Sequence, residues 1–337
     1  MVPGVRPVVR HRTDRRLAPP LQRHRRGLRP PPHPPYDLVR RGALRGGIHR
    51  LPQGVAQAGA PARPAAADPP VRGRARPAGG GRDRTVRTAA HHRRRLVIEL
   101  LLPADVSSAA TRAETVPDGT LFPEEEALIA KSVAKRRNDF ATARACARRA
   151  MAGLGLPPVP VLHGHRGRPL WPEGIVGTLT HCTGYRAAAL ARATDVLSLG
   201  IDAEPHGPLP TGVRELVTLP AERERIGPPA PEGTGEIHWD RILFSAKESV
   251  FKTWYPVTGV ELDFVEADLT FHRTDTPSPG SGDGSPGPAA AEGTFTARLL
   301  LTDPALPTTL HGRWRVEDEI VATAVLVRPD WRERDGM

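Results

Sequence analysis

An apolar run, Val196-Leu-Ser-Leu-Gly-Ile201, opens directly into two acids, Asp202 and Glu204. Such a run reads as a buried strand, and an i,i+2 pair on a strand points both carboxylates the same way. About forty residues on, Phe244-Ser-Ala-Lys-Glu-Ser-Val-Phe-Lys252 places Glu248 and Lys252 four apart, on one face of a helix. Leu243, Phe244, Val250, Phe251 and Trp254 supply that helix with a side to bury. A fold that joined the two segments would set three carboxylates, Asp202, Glu204 and Glu248, around one hard oxygen site suited to Mg2+. Lys247 and Lys252 would stand beside it for phosphate.

Each half also has a plainer reading. Ser245-Ala-Lys-Glu248 fits a capping box, with Ser245 as N-cap. Glu248 and Lys252 fit an ordinary surface pair worth about 0.2–0.5 kcal/mol. Asp202 and Glu204 could be solvated turn residues.

The order and wording of the two segments decide between these readings. Gly-Ile-Asp-x-Glu followed by Phe-Ser-x-Lys-Glu-Ser-x-x-Lys resembles the signature of the Sfp-type 4'-phosphopantetheinyl transferases, closest to the enterobactin-type and actinobacterial single-chain members. The resemblance covers roughly residues 97–330. It implies an α+β fold of two similar α/β subdomains in a pseudo-twofold arrangement, residues 96–201 and 202–330, with the active site between them. It implies transfer of the 4'-phosphopantetheine arm of coenzyme A to a serine of an apo acyl or peptidyl carrier protein, leaving 3',5'-ADP. Asp202, Glu204 and Glu248 would hold Mg2+, and Glu248 would take the serine proton directly or through metal-bound water. Lys252, with Lys247 as a second contact, would sit by the phosphates.

Further residues follow from the same likeness. A helix is expected from Ser132, as N-cap, to about Gly153, with Val133, Phe140, Ala143, Ala147 and Met151 on its apolar face. Five arginines crowd its other sides, a pattern that ordinarily marks a solvated face. In the family, an Arg-Arg-x-x-Phe run with a second Arg one or two turns later meets the coenzyme A phosphates, which singles out Arg136 and Arg144. His163 lies in a Gly-containing turn where relatives commonly carry a lysine. A neutral imidazole is a weaker phosphate ligand above about pH 6.5. Thr180-His181, after a Trp-Pro turn, matches the Ser/Thr-His pair that holds the 3'-phosphate of coenzyme A.

The rest of the chain reads more coarsely. Strands are expected at Leu96–Asp105 and at Leu262–Phe271, and the runs 171–182, 187–191 and 196–201 read as three neighbouring strands of one sheet. A second antiparallel sheet is expected from 294–301, 312–316 and 320–327, preceded by a low-complexity insertion, 276–293, and followed by a tail, 331–337.

Charge sets the first 95 residues apart. They hold 23 Arg, no Lys and four acids, a net +19; because the whole chain carries +11, the remainder carries −8. Rich in Pro and Gly and without a sustained apolar period, this arm cannot bury enough surface to offset its ordering entropy. It reads as a disordered basic arm, a targeting segment, or upstream sequence read as coding. The abrupt change at Leu96 favours the last, with a true start near Val97. An arm so basic keeps open a nucleic-acid-binding protein, and the acidic site keeps open a Mg2+-dependent hydrolase of coenzyme A or another nucleotide. For the core, neither nucleic acid nor membrane is expected as a partner. Two cysteines, Cys146 and Cys182, are too few for a disulfide scaffold, and no signal peptide or membrane-length apolar run is present. A cytoplasmic monomer with reduced thiols is the resulting expectation.

Overall fold

The structure is a computed structural model that describes residues 97–274 and 290–334. The basic arm, most of the low-complexity insertion and the last three residues lie outside the described residues. The chain is α+β, with two antiparallel sheets, each backed by a twenty-residue helix.

The smaller sheet has the order β1 (Ser107–Thr111), β3 (Tyr185–Arg192), β2 (Ile175–Cys182). The larger runs β4 (Ser198–Pro205), β8 (Ile320–Val327), β7 (Thr309–Glu317), β6 (Ala291–Leu299), β5 (Ala267–Arg273). The run 196–201 therefore does not extend the first sheet as expected. It enters β4, which pairs with β8 in a register that sets Asp202 opposite Thr323. Between the two sheets β2 presents the side chains of Thr178 and Thr180 to β4. Their hydroxyls accept from the backbone N–H groups of Ile201 (3.4 Å) and Ala203 (3.1 Å), so side chains rather than a backbone ladder join β2 to β4.

Helix α1 (Pro123–Ile129) precedes α2 (Ala134–Gly153), which lies on the smaller sheet. Small residues let α2 approach: Cys146, Ala147 and Ala150 pack with Met151 against Ala109, Ala188 and Leu190. The other face of β3, with Tyr185, Ala187, Ala189 and Ala191, shares a core with Leu199, Ile201 and Ala203 of β4. Helices α3 (Val213–Val217) and α4 (Pro220–Ile226) lead to α5 (Trp239–Thr258), which covers the larger sheet. Ile242, Ala246, Val250 and Trp254, spaced by four, pack on Leu269, Phe295, Leu310, Trp314 and Val325. Gly259, left-handed at φ 67°, ends α5 with its N–H on the Tyr255 carbonyl. Pro256 is tolerated only because it falls in the last turn.

Several sequence expectations change. Residues 97–105 do not form a strand: Val97–Leu100 is a 3-10 turn whose Val97 and Ile98, with Leu101 just after it, pack into the core that holds Tyr185. Pro103 cannot donate to a ladder, and the strand begins only at Ser107. Ser132 does not cap α2; the N-cap is Val133, which is 73% exposed and not part of the apolar face. Phe264–Glu266 form a 3-10 turn capped by Asp263, so β5 starts at Ala267, five residues later than the alternation suggested. Residues 291–293 belong to β6 rather than to an insertion, and 331–334 form α6, with Trp331 buried. Ser245 caps nothing, being well inside α5.

Candidate active site between β4 and α5

Residues 241, 245, 248 and 252 follow one another at intervals of four, three and four, which keeps them on one stripe of α5. That stripe faces the end of β4. Ser245 and Ser249 dock the helix by hydrogen bonds to the Thr323 hydroxyl at 3.0 and 2.6 Å, directly beside Asp202. Gly200 permits the closeness. A Cβ there would collide with the Ser249 carbonyl oxygen and stand 2.6 Å from the Thr253 hydroxyl.

Two cations and three carboxylates meet in consequence. Lys252 Nζ donates to Asp202 Oδ1 at 2.7 Å and to the Ile201 carbonyl at 3.2 Å. Arg241 donates to Glu204 Oε2 at 3.1 Å, while its other nitrogens grip the carbonyls of Gly207 and Pro208. Glu248 lies between these two cations along the helix, and its charge acts on both Glu204 and Lys252. Burial, then the neighbouring Asp202 charge, pushes the Glu204 carboxyl up to about 8 despite Arg241. Burial alone would lower the Lys252 ammonium, but the charges of Asp202 and Glu248 outweigh it and hold it above its ordinary value.

This is the environment of an under-neutralised acidic cluster. Asp202 Oδ2 is buried and accepts no hydrogen bond among the described residues. Within those residues no group of three or more His, Cys, Asp or Glu side chains stands positioned to hold a metal ion as it is, Lys252 and Arg241 being the cations present. The donor set nonetheless fits one hard divalent cation: three carboxylates, one with a buried oxygen that accepts no hydrogen bond among the described residues and one whose ionisation is suppressed by burial and by its acidic neighbours.

The remaining candidates are placed differently. Lys247 points away from the cluster. Its ammonium is buried between Glu222 Oε2 and the Phe264 carbonyl, both at 2.7 Å, and ties α4 to α5. Five residues along a helix turn the side chain by about 140°, so Lys247 could not share the Lys252 face. Arg144 is also buried, stacked 3.6 Å from the Phe140 ring centre, with Nε on the Val161 carbonyl; burial pulls its pKa down to about 10. Arg136 is exposed on the same helix, and its charge reaches Arg144. Arg148, expected on a solvated face, binds Glu125, whose carboxylate also accepts from Val161 N–H.

His163 is exposed in a turn closed by the Leu162–Leu170 backbone bond. The neighbouring His165 meets the Tyr255 hydroxyl at 2.7 Å, fastening this turn to α5 three residues beyond Lys252. His181 connects the groups: it lies on β2 opposite Arg186, feels Asp139 of α2 and Lys252 of α5, and is kept below its ordinary pKa chiefly by burial. Asp139 is itself paired to Arg186 and Lys135. Thr180 is brought to the acidic cluster, its hydroxyl 3.1 Å from Asp202 Oδ1. Sequence reasoning missed Arg241 and Ser249 and took Ser245 only for an N-cap, although their spacing from Glu248 and Lys252 placed all three on or beside the same stripe.

Comparison with known proteins gives the same assignment along the chain. Residues 124–191 match a model of the 4'-phosphopantetheinyl transferase N-terminal domain, and residues 198–297 a model of the 4'-phosphopantetheinyl transferase superfamily. The chain is 50% identical over 237 residues to the 4'-phosphopantetheinyl transferase Svp of Streptomyces mobaraensis, covering 68% of this chain and 89% of that protein. It is 45% identical over 238 residues to PptT of Mycobacterium tuberculosis, covering 68% and 98%. A more distant likeness, 33% over 121 residues, joins it to enterobactin synthase component D of Escherichia coli, covering 35% and 54%.

Proposed function

The chain belongs to the 4'-phosphopantetheinyl transferase superfamily, and from that membership we propose how its residues divide the work of moving the 4'-phosphopantetheine of coenzyme A onto a carrier-protein serine. The bond that forms joins the serine oxygen to the pantetheine-side phosphorus of the diphosphate. The bond that breaks joins that phosphorus to the bridging oxygen, which leaves with 3',5'-ADP. An anionic diphosphate repels an oxygen nucleophile, so cations must converge on it.

Asp202, Glu204 and Glu248 would hold Mg2+, which when bound supplies charge neutralisation to the diphosphate. Lys252, fixed to Asp202, adds a positive charge that its acidic neighbours keep protonated. Glu248 accepts the serine proton as the new bond forms. His181, between α2 and Lys252, together with Arg136, binds the 3'-phosphate end of coenzyme A. Arg144 supports this end from beneath, and His163 stands at the mouth in a turn held by Tyr255. Lys247 has no part in binding, because its ammonium is buried in its pair with Glu222. Enterobactin synthase component D among the relatives supports peptidyl carriers of siderophore assembly as one class of acceptor, beside acyl carriers of polyketide and fatty-acid synthases.

The observation that carries this reading is the docking of α5 on β4 and β8, which sets the Glu248–Lys252 stripe against Asp202. Its test is the intact mass of an apo carrier protein after incubation with coenzyme A and Mg2+. The wild-type chain adds one phosphopantetheine, whereas Glu248→Gln slows the addition about 10²–10⁴-fold with the fold intact. Near-full modification by that variant refutes the role given to Glu248. Consumption of coenzyme A with no mass gained by the carrier would mark a hydrolase instead.

A further inference from the structure

A threonine hydroxyl has one proton to give. That of Thr180, a residue only 5% exposed, lies 3.1 Å from Asp202 Oδ1, a pure acceptor, while the Ala203 backbone N–H donates to the same hydroxyl oxygen at 3.1 Å. Its proton is therefore committed to Asp202. A phosphate oxygen is also an acceptor, so Thr180 could bind one only by abandoning the carboxylate. Lys252 converges on the same Oδ1 at 2.7 Å, so that this oxygen is fixed by donors from two elements, β2 and α5. The second oxygen, Oδ2, is the buried one that accepts no hydrogen bond among the described residues.

We propose that Thr180 is a positioning residue for the acidic cluster, clamping Asp202 through Oδ1 and leaving Oδ2 as the oxygen for a divalent cation, and not a ligand of the coenzyme A 3'-phosphate. The proposal rests on the reading of Asp202 as a metal ligand. Partners that orient a ligating carboxylate from behind are worth about 10–100-fold in metal affinity. Thr178 provides the internal control. Two residues earlier on the same face, its hydroxyl accepts from Ile201 N–H at 3.4 Å and meets no carboxylate, so it joins the same two strands without touching the cluster.

The experiment measures two quantities on the full chain. One is Mn2+ affinity in the presence of coenzyme A, read from the electron paramagnetic resonance signal of free Mn2+. The other is the ratio of kcat/KM for coenzyme A to that for 3'-dephospho-coenzyme A. Thr180→Val and Thr180→Ala should each weaken Mn2+ binding about 10–100-fold and keep the wild-type preference for the 3'-phosphate. Thr180→Ser, which keeps the hydroxyl, should bind Mn2+ like the wild type. Thr178→Val should lose thermal stability and leave Mn2+ affinity unchanged. If Thr180→Val binds Mn2+ normally while Asp202→Asn does not, the positioning role is overturned and the metal reading stands. If Thr180→Val loses the preference for the 3'-phosphate, Thr180 is a phosphate ligand and the proposal is likewise overturned. If Asp202→Asn itself binds Mn2+ normally, the metal reading falls and the Thr180 role with it.

Discussion

Within the acidic cluster Glu204 is held far from the ionisation of a free carboxyl, and the sign of that shift can be followed through a pH scan. A carboxyl raised from 4.5 to about 8 in the fold favours the protonated form there, so the folded state binds more protons than the unfolded one between those values. Stability contributed through Glu204 therefore falls as pH rises through that window and is at its lowest above it. Burial lowers His181 and His206, which oppose this trend below about pH 6.5. Comparing Tm against pH for wild type and Glu204→Gln in chelator separates them. The wild type should lose ground to the variant from about pH 5 to 8, and Mg2+ should reduce the difference; a constant difference would show that Glu204 ionises normally. Lys247 gives a second prediction. Removing one partner of a buried pair costs about 3–5 kcal/mol, so Lys247→Met should lower urea stability by that order while leaving the KM for coenzyme A unchanged. A large rise in KM at unaltered stability would restore it to the binding site. Strand and helix periodicity made legible that Asp202 and Glu204 share one side of β4 and Glu248 and Lys252 one side of α5; that the two segments belong to one site was implied by the family signature and not by periodicity. Lys247 was misread because residue type suggested phosphate, whereas its partner Glu222 lies 25 positions away, beyond any local pattern.

At the scale of elements, the site exists because α5 rests unusually close to β4. Gly200 is required there for space rather than for a special backbone angle. Gly200→Ala would drive a methyl into the Ser249 carbonyl and the Thr253 hydroxyl, and overpacking of this kind costs about 1–3 kcal/mol. Tm should fall and carrier modification should fall with it, because Glu248 and Lys252 ride on the displaced helix. Unchanged activity in a destabilised variant would show that the approach of α5 is not what builds the site. The serines of the Phe-Ser-x-Lys-Glu-Ser stretch find their explanation here too, as the hydrogen bonds that seat α5 on Thr323. Both long helices were visible in the sequence, since apolar spacing over twenty residues is a strong signal. Their neighbours were not. The 3-10 plug at Val97–Leu100 is too short to show a period, and the partner that takes β4 out of the first sheet, β8, lies more than a hundred residues along the chain.

For the molecule as a whole, charge separates the two parts, +19 in the first 95 residues and −8 in the rest. The two family models match within residues 124–297, so the transferase machinery is expected to reside in the portion after the arm. Removing residues 1–95 should leave carrier modification intact; loss of activity in a folded truncation would give the arm a catalytic or binding role. Carrier proteins are generally acidic and so is the remainder of this chain, so a local patch and not net charge must bring them together. No helix among the described residues is long and apolar enough to cross a membrane. The proposed transfer requires three acids from β4 and α5 to hold one divalent ion against the coenzyme A diphosphate. Anomalous scattering from crystals of the chain grown with Mn2+ and coenzyme A tests this most directly. The predicted result is one Mn2+ peak bound by Asp202, Glu204 and Glu248 and touching the diphosphate; a peak held elsewhere, with those three side chains unligated, would contradict it.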